Sequence, residues 1–251
     1  MHHLTWLGAL AIFGAGALAG MINAIVGSGS LITFPTLVAL GYSPLVANVS
    51  NNVGLVFGNF SGVYGYRKEL VGQGPRIKVL TPYSVVGGIV GASLLLIHPS
   101  IFKSVVPWLV ILAVVMVVLQ PRLARALAKR QGEATHGGTP LRVGMFLTGI
   151  YGGYFGAAQG VILIAILAIG INDQLQRLNG FKNLATGAVN FVAGVLFIIF
   201  APVNWTAAGI IAVSSVIGAQ FGAKIGRRLP APVLRGAIVV GGLSIAIYLL
   251  R

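Results

Sequence analysis

The chain has 251 residues, of which 57% are hydrophobic and only 8% are charged, and its mean hydropathy is +0.94. This composition excludes an ordinary soluble domain and predicts an all-α protein that crosses the membrane several times. The 17 lysines and arginines outnumber the three acids, and in such a protein they are expected in loops that meet the lipid bilayer rather than nucleic acid. Because the chain lacks cysteine, a disulfide framework and a thiol relay are excluded. No metal or other cofactor is predicted.

The apolar segments fall into two halves. The first membrane repeat spans residues 1–120, with segments at 4–26, 30–41, 44–66, 77–97 and 104–120. A basic linker follows at 121–142, and the second repeat spans 143–251, with segments at 143–157, 160–170, 174–200, 204–223 and 233–250. The second segment of each half is short, so eight to ten membrane segments are expected in a multi-pass protein of the cell (inner or plasma) membrane.

Each short segment is entered through a break of small residues. The breaks read Gly-Ser-Gly-Ser at 27–30 and Gly-Ala-Ala-Gln-Gly at 156–160. Short membrane segments interrupted by glycine at corresponding positions of two halves are typical of transporter sites built from discontinuous helices. The breaks are therefore predicted to lie at the binding site.

A repeated set of asparagines supports a duplication of the chain. Asparagine is rare enough here that chance predicts fewer than one match between the halves, yet three occur at one offset. Phe60 and Phe191 share the same offset. The matched asparagines are Asn48, Asn52 and Asn59, which recur as Asn179, Asn183 and Asn190.

The loop charges predict that the two repeats are inverted. Basic residues concentrate in the loops at 66–78, 121–142 and 224–235, which the positive-inside rule assigns to the cytoplasm. Equivalent loops of the two halves then lie on opposite sides of the membrane. Each half therefore makes an odd number of net crossings.

The first break lies in a longer motif. Residues 20–36 read GMINAIVGSGSLITFPT, and Leu-Gly-Tyr-Ser-Pro and Ala-Asn follow at 40–44 and 47–48. This pattern resembles the TauE/SafE family of sulfite and organosulfonate permeases, and residues 149–190 and 215–226 are similar to that family too. The resemblance implies a membrane transporter of a small anion, often one that contains sulfur. The family's substrates vary, so it does not imply which anion.

The residues themselves also predict an anion site, because amides, hydroxyls, the backbone N–H groups that begin a helix and a lysine are all hydrogen-bond donors. On a helix the repeated asparagines of each half lie near one face. Asn59 and Asn190 lie two turns from the other asparagines, so for this outer pair helix packing stays open beside substrate binding. The glycine faces at 87–91 and 218–226 are assigned to helix packing. The predicted substrate-binding residues are Ser28, Gly29, Ser30, Asn48, Asn51, Asn52, Gln159, Gly160, Asn179, Lys182, Asn183 and Thr186.

Two alternatives remain for these residues. Lys182 lies about 14 Å along the predicted helix if that helix begins near Asp173, and a cation so deep is expensive and functional by default. If the apolar part begins later, the side chain extends to the membrane surface instead. The amides could also serve only to hold helices together.

The predicted function is export of a small anion, most often a sulfur-containing one, by alternating access around a site at the middle of the membrane. All three acids lie at segment edges or in loops, so a proton relay of carboxylates is not expected. No catalytic motif is present, so an enzyme is not predicted. A channel-like anion pore and a non-transporting membrane subunit remain the alternatives.

Overall fold

The computed structural model describes residues 4–128 and 138–225, together with positions 239, 246, 247 and 249. Within the two long stretches the chain folds into helices joined by short turns, with no strand, which confirms the predicted all-α class. The helices are α1 (Trp6–Ile25), α2 (Ser30–Ala39), α3 (Pro44–Gly65), α4 (Gly74–Ile97), α5 (Pro99–Ala128), α6 (Thr139–Tyr154), α7 (Gln159–Gly170), α8 (Leu175–Phe200) and α9 (Trp205–Ile225).

Five of these helices are long and apolar enough to cross a membrane: α1, α4, α5, α8 and α9. The helices that follow the two breaks are much shorter, with 10 residues in α2 and 12 in α7. At 1.5 Å per residue they extend about 15–18 Å, roughly half of a hydrocarbon core. The predicted short segments are thus confirmed as short apolar helices.

The helix starts follow from local sequence. Thr5 caps α1, where its Oγ1 accepts a hydrogen bond from the backbone N–H of Gly8 at 3.1 Å. Ser43 caps α3 in the same way through Val46, and Pro44 stands at the first helical position. Proline suits that position because its missing N–H has no partner in the first turn of a helix.

Glycine faces hold two pairs of helices together. A methyl group added to Gly20 of α1 would overlap the carbonyl of Ser215 in α9, and one added to Gly218 would overlap the carbonyl of Ala17. In the other pair, Gly87 and Gly91 of α4 lie equally close to the backbone of α6. The predicted packing role of these glycine faces is confirmed where the structure describes them. Each pair joins one helix from each predicted half.

Helices α3 and α8 lie at the centre of the bundle, between these pairs. Residues 47–56 of α3 are all buried, although several are polar. Phe60 of α3 and Phe191 of α8 pack edge to face, with ring centroids 5.9 Å apart. Residues at the shared offset therefore meet in space, while the inverted duplication itself stays a prediction.

The predicted linker at 121–142 is helical at both ends. α5 continues to Ala128, and α6 begins at Thr139. Residues 129–137 lie outside the described part of the chain. So do most of the predicted last segment, 233–250, and the greater part of the predicted cytoplasmic loop at 224–235.

Candidate functional site

The two breaks meet inside the bundle. Gly27 and Gly156 adopt φ angles of +86° and +76°, which favour glycine, and α2 and α7 begin a few residues later. The backbone N–H of Gly160 donates a hydrogen bond to the carbonyl oxygen of Gly27 at 3.1 Å. A Cβ atom added to either residue would lie 2.5 Å from the Cα of the other. No residue larger than glycine fits this contact without a backbone shift.

A polar cavity lies beside the contact between the breaks. The space open to the centre of a water molecule is about 10 Å³, close to what a single water requires. Thr186 stands about 17 Å from the start of α8, near the middle of that 26-residue helix. The cavity is thus deep in the bundle and offers very little free volume. Its lining residues are Asn23, Gly27, Ser30, Asn59, Gly156, Gln159, Gly160, Thr186 and Asn190.

Several polar atoms at and around this cavity have no hydrogen-bond partner among the described residues. They include the Nδ2 donor of Asn59, the Oγ of Ser28 and the Oδ1 of Asn52. Asn52 and Asn190 bond each other through Nδ2 and Oδ1 at 3.4 Å. Because a buried polar group without a partner is costly, these atoms are candidates for contact with a bound molecule.

A second set of polar side chains holds the ends of the broken helices. Asn48 Nδ2 in α3 donates to the carbonyl of Tyr154, the last residue of α6, at 3.1 Å. Asn183 Nδ2 in α8 donates to the carbonyl of Ala24, near the end of α1, also at 3.1 Å. The last carbonyls of a helix lack partners within that helix, so an end inside the protein needs such donors.

Lys182 holds the end of α1 as well, and it does so with a charged group. Its side chain is completely buried, and its Nζ lies 3.4 Å from the carbonyl oxygens of both Asn23 and Ile25. A cation is favourable there because the C-terminal end of a helix carries partial negative charge. Lys182 does not extend to the membrane surface, and it does not line the cavity.

The remaining predicted residues occupy supporting positions. The backbone N–H of Gly29 donates to Asn23 Oδ1 at 2.6 Å, and the Oγ1 of Thr33 donates to Asn51 Oδ1. Asn179 is half-buried and lies outside the cavity. The structure therefore brings Ser30, Gln159, Gly160 and Thr186 together at the cavity, with Ser28 and Gly29 in the adjoining break.

Three cavity residues differ from the sequence-based set. Asn59 and Asn190, which the predicted substrate-binding set leaves out, line the cavity. Asn23 lines it too and was not predicted, even though it lies inside the motif at residues 20–36. Its position just before a glycine-rich break could have identified it, because the last residues of a helix that stops inside the membrane lie next to the break.

A network of ion pairs joins the start of α8 to the start of α4. Asp173 bonds Arg76 at 2.9 Å and Arg177 at 3.0 Å, and Gln73 donates to the carbonyl of Arg177. Burial raises the pKa of Asp173, but hydrogen bonds from Arg76, the backbone of Gln174 and Arg177 outweigh it and hold that pKa below its usual value. These contacts are structural, and they lie at the helix end that the loop charges assign to the cytoplasm.

Broken helices that end at an internal polar cavity, in a bundle of apolar membrane-length helices, are typical of membrane transporters. The chain belongs to the TauE/SafE family: the family model described as "Sulfite exporter TauE/SafE" matches residues 12–249. It is therefore a multi-pass membrane transporter, which confirms the resemblance seen in the motif.

Curated relatives carry the same general description. The chain is 27% identical over 230 residues to the "Probable membrane transporter protein YfcA" of Escherichia coli (strain K12), covering 89% of this chain and 84% of the relative. It is 28% identical over 233 residues to a "Probable membrane transporter protein" of Haemophilus influenzae, with 91% and 89% covered. A third, "Probable membrane transporter protein ORF9" of Sinorhizobium sp, is 26% identical over 242 residues, with 95% and 91% covered. No solved structure matches the chain significantly.

Proposed function

We propose that this transporter exports a small sulfur-containing anion, such as sulfite or an organosulfonate, by alternating access around the cavity between the two breaks. The observation that carries the proposal is the convergence of two helix starts, those of α2 and α7, on one cavity lined by hydrogen-bond donors. Helix starts favour anions through their partial positive charge. The family's description as sulfite exporters supports the substrate class.

In this proposal the anion's oxygens accept hydrogen bonds from side chains of four helices. Ser30 and Gln159 stand at the starts of α2 and α7, while Asn59 and Thr186 approach from α3 and α8. Ser28 contributes a hydroxyl from the first break that has no partner among the described residues. The backbone N–H groups of Gly29 and Gly160 bond Asn23 Oδ1 and the Gly27 carbonyl, so they reach the anion only when the contact between the breaks opens. Neither of the acids in the described residues lines the cavity, so no carboxylate repels an anion there.

The other predicted ligands form the frame of the site. Asn48, Lys182 and Asn183 fix the inner ends of α1 and α6. Lys182 also bonds the carbonyl of Asn23, a residue that lines the cavity. The charge of Lys182 therefore attracts the anion without direct contact. Asn51 and Asn52 fix α2 and α8 against α3, and we assign no contact with the anion to Asn179.

The small volume of the cavity favours a carrier over a channel. Space for one water is too little for a sulfur oxyanion, so binding requires the contact between Gly27 and Gly160 to widen. A carrier that opens to each side in turn makes that movement in every cycle. The meeting of Phe60 with Phe191 and the glycine pairs between the halves support two halves that rock about a shared centre.

Export fits the energetics of an anion in an inside-negative cell. A single negative charge that leaves gains about 2.3 kcal/mol per 100 mV of membrane potential. This gain drives export without a carboxylate relay, and every acid of the chain lies at a predicted segment edge or in a loop.

Proteoliposomes that contain the purified chain test the proposal. Labelled sulfite, taurine, sulfoacetate and acetate should be compared for saturable flux and for counterflow against unlabelled anion. We expect saturable counterflow of at least one sulfur anion, with acetate much slower. Flux without saturation would indicate a pore, and no flux of any sulfur anion would contradict the substrate class.

A further inference from the structure

A second cavity lies on the outer side of the α4 and α6 pair. It is an open groove of about 500 Å³, far larger than the internal cavity. Along α6 its lining residues recur at the i, i+3, i+4 and i+7 spacing of a single helix face. We call it the α4–α6 groove, and its lining residues are Pro82, Tyr83, Val86, Thr139, Arg142, Val143 and Phe146.

The groove has an apolar part and a cationic end. Val86, Val143 and Phe146 provide apolar walls, and the first two are about half exposed. At the other end Arg142 lies in the first turns of α6, with its guanidinium carbon 5.9 Å from the centre of the Tyr83 ring. Lys78, one turn before Pro82 on α4, is exposed and adds a second positive charge.

The cation of the groove has no described counterion. The Nε of Arg142 is buried without a hydrogen-bond partner among the described residues. The described residues include two acids, and neither is placed at Arg142. Asp173 bonds Arg76 and Arg177, and Glu69 packs beside Gly180. A guanidinium in this setting matches a phosphate, which accepts two parallel hydrogen bonds from it.

We propose that the α4–α6 groove binds one anionic phospholipid, with its phosphate at Arg142 and an acyl chain along Val143, Phe146 and Val86. Two features favour this occupant. The groove opens on the side of a membrane-embedded bundle, where lipid is the solvent, and its charge lies at the helix ends that the loop charges assign to the cytoplasm. That leaflet is the one that attracts basic residues near the membrane surface through its anionic lipids.

Native mass spectrometry of the full chain in detergent tests the site, with phosphatidylglycerol and phosphatidylethanolamine of the same acyl chains as probes. We expect the wild type to bind one phosphatidylglycerol preferentially. Arg142→Gln should lower this preference about fivefold, the effect expected of one basic residue near the membrane surface. Arg122→Gln, which removes an exposed arginine from α5, is the matched control and should change nothing.

A second variant keeps the charge and fills the groove. Val143→Trp should weaken the binding of both lipids. If Arg142→Gln does not fold, this variant tests whether lipid occupies the groove, and unchanged lipid binding would overturn the proposal. Equal binding of the two lipids by the wild type, or equal losses in both arginine variants, would overturn the proposal. So would displacement of the lipid by inorganic phosphate alone, which would indicate a site for free anions, or a dimer that buries the groove and excludes lipid. Because the readout is lipid binding, failure here leaves the proposed transport function untouched.

Discussion

The two breaks have similar backbones but different supports. Both contain a glycine with positive φ and lead into a short helix whose first residue, Ser30 or Gln159, lines the cavity. The end of α6 is held by a neutral amide from α3, whereas the end of α1 is held by both a neutral amide and the buried ammonium of Lys182, from α8. The difference teaches that duplicated backbone geometry does not require duplicated electrostatics. One helix end carries a charge that the other lacks.

The helices that supply these supports are themselves anchored differently. α3 begins with the Ser43 cap and Pro44, without any ion pair in the described residues. α8 begins beside Asp173, which bonds Arg76 and Arg177. The charged support at α1 therefore comes from a helix whose own start is fixed by charges. Substitutions in the two supports should therefore have different effects.

The largest effect is expected from Lys182→Met. This change keeps the volume but removes the charge next to the cavity wall, and two opposite charges in a protein attract each other by on the order of 1–2 kcal/mol or more at an effective dielectric constant of 20. We expect anion affinity to fall about tenfold or more. Stability should stay close to that of the wild type, since relief from burying a charge offsets the two lost carbonyl contacts.

Lys103→Met, which removes an exposed lysine from α5, is the control and should leave affinity unchanged. Affinity and denaturation midpoints are both measured on detergent-purified protein. A Lys182→Met protein with a lower denaturation midpoint but wild-type affinity for the anion would show that the charge is purely structural.

Gly160→Ala is expected to have the next largest effect. The added methyl group would meet the Cα of Gly27 at 2.5 Å, and overpacking of this kind typically costs about 1–3 kcal/mol. Gly209→Ala in α9 is the matched control, because a Cβ there meets nothing within 4 Å. Chemical denaturation should show a loss for the first variant and none for the second. Equal stabilities would contradict the close contact of the breaks.

Asn48→Ala tests the neutral support. It removes the donor to the carbonyl of Tyr154, and a buried carbonyl left without a partner costs about 1–3 kcal/mol. Asn179→Ala removes a half-buried amide outside the cavity and should change stability by no more than about 0.5 kcal/mol. If the two variants lose the same stability, Asn48 is not the support of α6.

The smallest effect concerns the ion pairs at the start of α8. Because the pKa of Asp173 is lowered in the folded protein, its contribution to stability is present at neutral pH and declines as the pH falls below about 5 towards the folded pKa. Asp173→Asn should be less stable at pH 7 by about 1 kcal/mol or less, and its stability should depend less on pH between 5 and 3. Parallel pH profiles of the two proteins would contradict this role.

Much of the fold could be predicted from the chain. The apolar runs predicted α8 at 174–200 and α2 at 30–41, within two residues of the observed bounds. The breaks could be recognised because short, glycine-interrupted apolar runs at corresponding positions of two halves point to a transporter site. Helix periodicity also placed the asparagines on one face, and those faces do turn inward.

The role of each amide could not be predicted in the same way. Periodicity places Asn48 and Asn59 near one face, but it does not tell what that face meets. Asn48 meets the carbonyl of Tyr154, while Asn59 meets the cavity. The burial of Lys182 was equally undetermined, since it depends on where α1 ends, more than 150 residues away in the chain. The α4–α6 groove has no sequence motif and follows only from the packing of two helices.

The most direct test of the central claim is anion binding at the cavity between the breaks, measured with two matched variants. Thr186→Val and Thr148→Val each remove a buried hydroxyl that bonds the carbonyl four residues earlier, but only Thr186 lines the cavity. In the proposed complex the Thr186 hydroxyl turns from the carbonyl of Lys182 to the anion. Calorimetric titration with sulfite should give wild-type affinity for Thr148→Val and an affinity about fivefold to tenfold weaker for Thr186→Val, as expected for one lost hydrogen bond. Equal affinities in the two variants would contradict the assignment of the anion to this cavity.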